Sequence, residues 1–272
     1  MPSTPVVIRS RDNATVKLLT GLVHSSRERK KTGLTVLDGA HLVDAFLRTG
    51  QRPHLVIVAE SAAESPDARQ IQEQLLRSQL AVTLAADVLV TEASQLESPA
   101  RVMAIVATPT ASPIPVDASA VLVLDGVQDP GNVGAMLRCA AAFGIQHVLL
   151  GAGTAFAWSP KVLRAAQGAH FVLNIVEGAS VIDFVSVYQG QTLALVPNAN
   201  AAQPLANVDL CKMSAILVGN EGAGLSAEVL AAASTRATIP MRGTVESLNA
   251  ASCGAIAMYE LCRQRDTANL GQ

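Results

Sequence analysis

The chain has 272 residues, half of them hydrophobic and 15% charged, enough to bury a large core in one domain or two. No apolar run approaches the ~18 residues that cross a bilayer, and the N-terminus lacks the apolar stretch of a signal peptide, so a cytoplasmic protein with no membrane partner is expected. A net charge of −2 argues against binding nucleic acid by bulk charge; four scattered cysteines and unclustered histidines predict neither a disulfide framework nor a metal.

Charge is nevertheless uneven. Up to Lys31 the chain carries seven bases (Arg9, Arg11, Lys17, Arg27, Arg29, Lys30 and Lys31) against Asp12 and Glu28. Such a cluster is either a solvated face or the footprint of a phosphate backbone. Within it, Asn13–His24 reads as a helix. Then follow a strand in GLTVLDG, a helix over Ala40–Arg48, a strand in HLVIVAE, a helix over Asp67–Arg77, and strands in AVTLA and MAIVA. Residues 1–107 are thus expected to form a small α/β domain. A Pro-rich stretch, 108–119, reads as a linker to a second domain over 120–272.

The second block has longer, fully apolar strands: AVLVLDG, HVLLG, FVLNIV, TLALV, AILVG and ATIP. Apolar strands alternating with helices predict a parallel sheet covered on both faces. Ligands of such sheets sit beyond the carboxyl ends of the strands, and three distinctive loops lie there.

In the first, DPGNVGAMLRCAAAFG, a turn leads into a small-residue helix with Asn132 as a candidate cap. Arg138 stands on that helix with only glycine and alanine three and four residues away, so it reaches solvent or meets a partner from elsewhere. The second loop, ILVGNEGAGLS, is neither a P-loop nor GxGxxG, and Glu221 is its only charge. Glu221 is the natural partner for Arg138. The third, IPMRGTVESLNAASCGAIAMYEL, carries Glu246, Ser247 and Asn249 ahead of a long helix whose slim stretch Ser252–Ala255 suits close packing on another helix or subunit.

The order and wording of the three loops resemble the SpoU/TrmH branch of the SPOUT RNA ribose methyltransferases, through LDGVQDPGNVGAMLR, VGNEGAGLS and IPMRGTVESLNAA. IRSRDNATVKLL and RERKKTGLTVLDGAHLV resemble the substrate-binding domain of rRNA-modifying members. The resemblance implies a parallel-sheet α/β methyltransferase domain with a deep C-terminal trefoil knot, preceded by a small α/β RNA-binding domain, and a homodimer. It implies S-adenosyl-L-methionine held by Val196, Gly219, Ile239, Met241 and Leu248, the apolar members sandwiching adenine.

The implied reaction is methylation of a ribose 2′-hydroxyl in structured RNA, with 23S rRNA as the target. Arg138 stands where the family has its essential arginine, often proposed as general base. A guanidinium keeps its proton at any working pH. A better task is holding an RNA phosphate or steadying the developing alkoxide, with Glu221 orienting Arg138, Asn132 fixing Glu221, and Ser247 and Asn249 supporting the pocket. Glu221 or a water then takes the proton. Ala250 and Ala251 replace a common Val-Ser, and Cys139 a common hydroxyl residue; both changes are small. With RNA implied, the basic segment reads as RNA contact. The alternatives are a tRNA-directed enzyme, a non-enzymatic RNA-binding or ribosome-assembly factor, and a nucleotide-dependent oxidoreductase, the last disfavoured by the missing early GxGxxG.

Overall fold

The fold is taken from a computed structural model, which describes residues 7–77, 79–94, 101–197, 202–244 and 247–270. Contacts divide the chain into two compact units, Met1–Thr110 with Trp158–Phe171, and Ala111–Ala157 with Val172–Gln272. A fourteen-residue segment of the second sequence block is thus part of the first unit.

The first unit contains β1 (Val7–Ile8), α1 (Ala14–His24), α2 (Ser26–Thr32), β2 (Leu34–Asp38), α3 (Ala40–Arg48), β3 (Leu55–Ala59), α4 (Pro66–Arg77), β4 (Thr83–Ala85), α5 (Asp87–Ala93) and β5 (Val102–Ala107). The sheet order is β1-β4-β3-β5-β2, with β5 antiparallel to both neighbours. Asn13 starts α1 by accepting from the Thr15 amide at 2.9 Å. Gly33, at φ +65°, ends α2 in the left-handed conformation. From later in the chain come Trp158 and α7 (Pro160–Ala166): the Thr35 hydroxyl donates to the Trp158 carbonyl at 2.7 Å, and Phe171 meets Phe46 edge to face.

The second unit contains β6 (Ala120–Asp125), α6 (Pro130–Ala142), β7 (His147–Gly151), β8 (Asn174–Ala179), α8 (Val181–Val187), β9 (Gln191–Leu195), β10 (Gln203–Pro204), β11 (Ser214–Gly219), α9 (Ala227–Ala232), β12 (Thr235–Thr238) and α10 (Ala250–Leu270). Its seven strands run in the order β10-β12-β9-β11-β6-β7-β8, every pairing parallel, as the apolar runs predict. The central β11 is buried at every residue, as a strand covered on both faces must be. Val121, Val123, Leu149, Phe184, Tyr188 and Leu217 form a core on one face. On the other, α10 crosses α6 so closely that a Cβ on Gly254 would lie 2.8 Å from the Met136 sulfur. The slim stretch of the last helix therefore has a partner within the chain.

From Ala111 onward the Pro-rich stretch is held to the second unit. Ser112 exchanges two hydrogen bonds with the Asn174 side chain, at 2.9 and 2.8 Å, and the Tyr188 hydroxyl donates to the Ala118 carbonyl at 2.7 Å. Burial pushes the Tyr188 hydroxyl up to about 12, so it stays a donor. No helix among the described residues is long and apolar enough to cross a membrane.

Candidate active site

Strands β6, β9, β11 and β12 end together, and the loops that follow them converge. After β6 the chain turns at Gly126, whose φ of +71° lies in the region glycine tolerates best. Pro130 then opens α6, and Asp129 caps it by accepting from the Asn132 amide at 2.7 Å. The expectation that Asn132 caps this helix is therefore corrected. It sits one turn inside, 9% exposed, with its side chain free for other partners.

Those partners come from the other two loops. Asn132 Nδ2 donates to Glu221 Oε1 at 2.9 Å, and Asn249 Nδ2 donates to Asn132 Oδ1 at 2.9 Å. Glu221 also accepts from the backbone amides of Gln128 and Asp129, both at 3.1 Å, at the positive end of the α6 dipole. Partial burial pushes the Glu221 carboxyl up, but the bonds from Asn132 and these amides outweigh it and hold the pKa below the usual carboxylate range. Asn249 Oδ1 meanwhile caps α10, accepting from the amides of Ala251 and Ser252 at 2.9 and 3.2 Å. One chain of side chains, Asn249–Asn132–Glu221, thus fastens all three loops.

Beside it lies a cavity lined by residues following β9, β11 and β12 and by the start of α10. Val196, Gly219, Ile239, Met241 and Leu248 all line it, as do Glu221, Ser247, Ala250 and Cys253. Burial raises the Cys253 thiol pKa, which keeps it neutral. Gly219 has a reason for being glycine inside the chain: an added Cβ would lie 2.2 Å from the Gly224 carbonyl carbon and from the Leu225 nitrogen. The loop folds back over its own strand end there, so the residue is needed whether or not a ligand approaches. No hydrogen bond among the described residues engages the Ser247 side chain, and Glu246 lies outside the described residues.

Arg138 does not pair with Glu221. It is exposed on α6 and makes no ion pair or hydrogen bond with any described residue. Six residues separate it from Asn132, about 9 Å along the helix, while the Glu221 oxygens are already taken at the helix start. The pairing inferred from charge alone fails because main-chain amides and an amide side chain satisfy the carboxylate first. Asn220 escaped the sequence reading, although it accepts from the Gly222 and Ala223 amides, both at 2.9 Å, and donates to the Gly126 carbonyl at 2.8 Å. An asparagine immediately before a Glu-Gly turn is the local signal that could have flagged it.

Among the basic residues of the first unit, Arg29 is a second correction. It is 6% exposed, and its guanidinium donates to the carbonyls of Leu22 and Val23 at the end of α1, at 2.5 and 3.0 Å. It holds α2 against α1 and presents no charge to a ligand. Arg9, Arg11 and Lys17 are exposed and paired with Glu60, Glu92 and Asp12. Arg27, Lys30 and Lys31 are exposed along α2.

Comparison with known proteins gives a consistent result. The profile of the SpoU rRNA Methylase family matches residues 119–259, and that of the MRM3-like substrate binding domain matches residues 13–104. The 23S rRNA (guanosine(2553)-2′-O)-methyltransferase RlmP of Bacillus subtilis (strain 168) is 32% identical over 88% of this chain and 92% of its own. A crystal structure of an RNA 2′-O ribose methyltransferase superposes with a TM-score of 0.81 at 29% identity, covering 96% of this chain and 99% of that one. The SpoU methyltransferase AviRb from Streptomyces viridochromogenes, solved with the cofactor AdoMet, also gives 0.81, at 27% identity over 94% of this chain and 99% of its own.

Proposed function

The chain belongs to the SpoU rRNA methylase family, and on that premise we infer that it transfers the methyl group of S-adenosyl-L-methionine to a ribose 2′-hydroxyl of 23S rRNA. The observation that carries this reading is one cavity, walled by three strand-end loops that the Asn249–Asn132–Glu221 chain locks together, with an exposed arginine, unpaired among the described residues, on the helix those loops abut. The RlmP relative is named for this chemistry on this RNA, and AviRb is a structure with this cofactor bound.

The cavity suits that cofactor. Leu195, Val196, Ile239, Met241 and Leu248 offer apolar surface for adenine, and the backbone around Gly219 and Gly222 offers polar groups for its edge. Glu221 is the carboxylate in the described lining, and its lowered pKa keeps it negative near a cationic ligand. The cofactor supplies an electrophilic methyl on a positively charged sulfur.

The ribose oxygen attacks that methyl in line as the carbon–sulfur bond breaks, and much of the acceleration comes from holding the two in place. Arg138 holds a phosphate of the RNA beside the target ribose and steadies charge developing on the oxygen. Glu221 is a poor base, because three donors and a lowered pKa commit it to its anionic, bonded form. The hydroxyl proton leaves to water. Ser247 supplies a hydroxyl that has no hydrogen-bond partner among the described residues and lines the cavity.

The reading also includes a homodimer, a deep knot, domains divided at 1–107 and 120–272 by a linker, and action in the cytoplasm. Ile256 and Tyr259 are exposed on α10, with Phe143 edge to face against Tyr259, an apolar surface suited to a second copy. Convergence of the loops after β9, β11 and β12 on one cavity supports the knot. The basic face of α2 and the paired Arg9, Arg11 and Lys17 contact RNA, since exposed ion pairs are weak enough to exchange for phosphates.

To test the function, the purified chain is incubated with methyl-labelled cofactor and separate pools of large-subunit rRNA, small-subunit rRNA and tRNA. Label in large-subunit rRNA, at a ribose that resists alkaline cleavage, is the expected result. Label in tRNA alone would give the tRNA-directed alternative, and cofactor binding without turnover on RNA or assembled subunits would give the non-enzymatic factor.

A further inference from the structure

We propose that Asn220 is a positioning residue for the cofactor cavity, acting by closing the loop after β11 and tying it to the strand end of β6. The inference rests on the cavity being the cofactor site.

The geometry is specific. Strands β11 and β6 end in register, with Gly219 opposite Asp125, and the next residues of each diverge into the two loops that build the site. The half-buried Asn220 lies at this fork and lines the cavity. Its main chain exchanges two hydrogen bonds with Gly224, both 2.9 Å, which closes 220–224 into a ring. Its Oδ1 accepts from the amides of Gly222 and Ala223, filling that ring from inside. Its Nδ2 points the other way and donates to the Gly126 carbonyl at 2.8 Å. Gly126 is itself fixed, its amide donating to Thr154 Oγ1 at 3.1 Å, while that hydroxyl donates to the Leu124 carbonyl at 3.0 Å.

Two consequences follow for the site. Glu221 is held on both sides, since the Asn220 side chain pins the amides just beyond it and anchors the residue just before it. The Glu221 carboxylate therefore meets Gln128, Asp129 and Asn132 without a search over loop conformations. The cavity wall made by Gly219, Gly222 and Gly224 is also set before any ligand arrives, although three glycines in six residues would otherwise leave it loose. Asparagine alone combines the needed groups: an acceptor for two amides and a donor for one carbonyl on a side chain this short. Aspartate keeps the acceptor and loses the donor.

The test uses the full chain and measures cofactor affinity by calorimetry without RNA, kcat and KM for the cofactor with large-subunit rRNA, and thermal unfolding. For Asn220→Ala the expected result is a rise in cofactor Kd and KM of about fivefold, the factor carried by one net hydrogen bond, with kcat at saturating cofactor within about twofold because no reacting atom has been touched. Asn220→Asp keeps both accepted bonds but faces the Gly126 carbonyl with a carboxylate oxygen in place of a donor, so it too should weaken cofactor binding. Unchanged affinity in both variants overturns the proposal. So does an affinity loss that appears only together with global unfolding of both, since that would make Asn220 a folding residue. A wild-type chain that binds no cofactor overturns the underlying site reading instead, which keeps the two failures distinct.

Discussion

Replacing Asn132 with aspartate should damage the site more than deleting the side chain with alanine, although aspartate is the isosteric change. In the native site the amide donates to Glu221 and accepts from Asn249, both at 2.9 Å. Asn132→Ala loses one charge-assisted bond, about 1.5–3 kcal/mol, and one neutral bond, about 0.5–1.5 kcal/mol. Water can reach the exposed Glu221 and replace part of this, so the low end, about 2 kcal/mol, is expected. In a domain of this size that lowers Tm by about 4–8 °C.

Asn132→Asp keeps the acceptor for Asn249 but sets two carboxylates at 2.9 Å. Their repulsion is about 1.4 kcal/mol in full water and about 5.7 kcal/mol at an effective dielectric of 20. Adding Glu221→Gln to Asn132→Asp restores a donor between the two positions, at the cost of facing one backbone amide with another donor, so rescue should be partial. The assay is thermal and urea unfolding of the four proteins, with cofactor affinity measured alongside. A ranking in which Asn132→Asp is milder than Asn132→Ala, or a double variant no better than Asn132→Asp, would refute the hydrogen-bond directions on which the site rests.

Gly219→Ala should fold poorly or rebuild the loop, because its Cβ would lie 2.2 Å from backbone; a cost of about 3 kcal/mol or more is expected, with cofactor binding lost by calorimetry. The lowered pKa of Glu221 means its ionised form stabilises the fold fully above its unfolded value, about 4.3, and that this contribution is lost as pH falls through the folded value. The stability gap between wild type and Glu221→Gln, measured by urea titration, should therefore be full above about pH 5 and shrink below about pH 4.3. Arg29→Ala should lower the melting temperature by removing a buried donor from the Leu22 and Val23 carbonyls, worth about 1.5–3 kcal/mol. Arg27→Ala or Lys31→Ala should leave melting unchanged while weakening RNA binding and reducing its log–log salt slope by about 1 each.

Local signals read well where local physics decides. The helix expected over Asn13–His24 forms over Ala14–His24 with Asn13 as its cap, and the apolar runs at 120–125, 147–151 and 214–219 became parallel strands because both faces of the sheet are covered. Helix α2 escaped periodicity because SRERKKT has no apolar stripe; a Ser25 cap, Gly33 and the buried Arg29 stem hold it instead. The strand expected in FVLNIV starts only at Asn174, since Ala169–Phe171 forms a short turn of helix and Phe171 packs on Phe46. That contact spans more than a hundred residues of sequence, beyond the reach of any window. Four of the five residues named for the cofactor lie in the motifs and Val196 at a strand end, and all five line one cavity, but the wording did not say which charges meet: Arg138 and Glu221 complement each other on paper, whereas the fold gives the carboxylate to amides and leaves the guanidinium exposed.

That exposed guanidinium offers the most direct test. Single-turnover methyl transfer from labelled cofactor to large-subunit rRNA would be compared for wild type and Arg138→Ala, with label counted as ribose-methylated nucleoside after nuclease digestion. Arg138 is exposed and makes no hydrogen bond or ion pair with any described residue, so the variant should melt and bind cofactor like wild type while its transfer rate falls by about a hundredfold or more. A variant that transfers methyl at the wild-type rate, or a wild-type chain that leaves no label on ribose, would contradict the account.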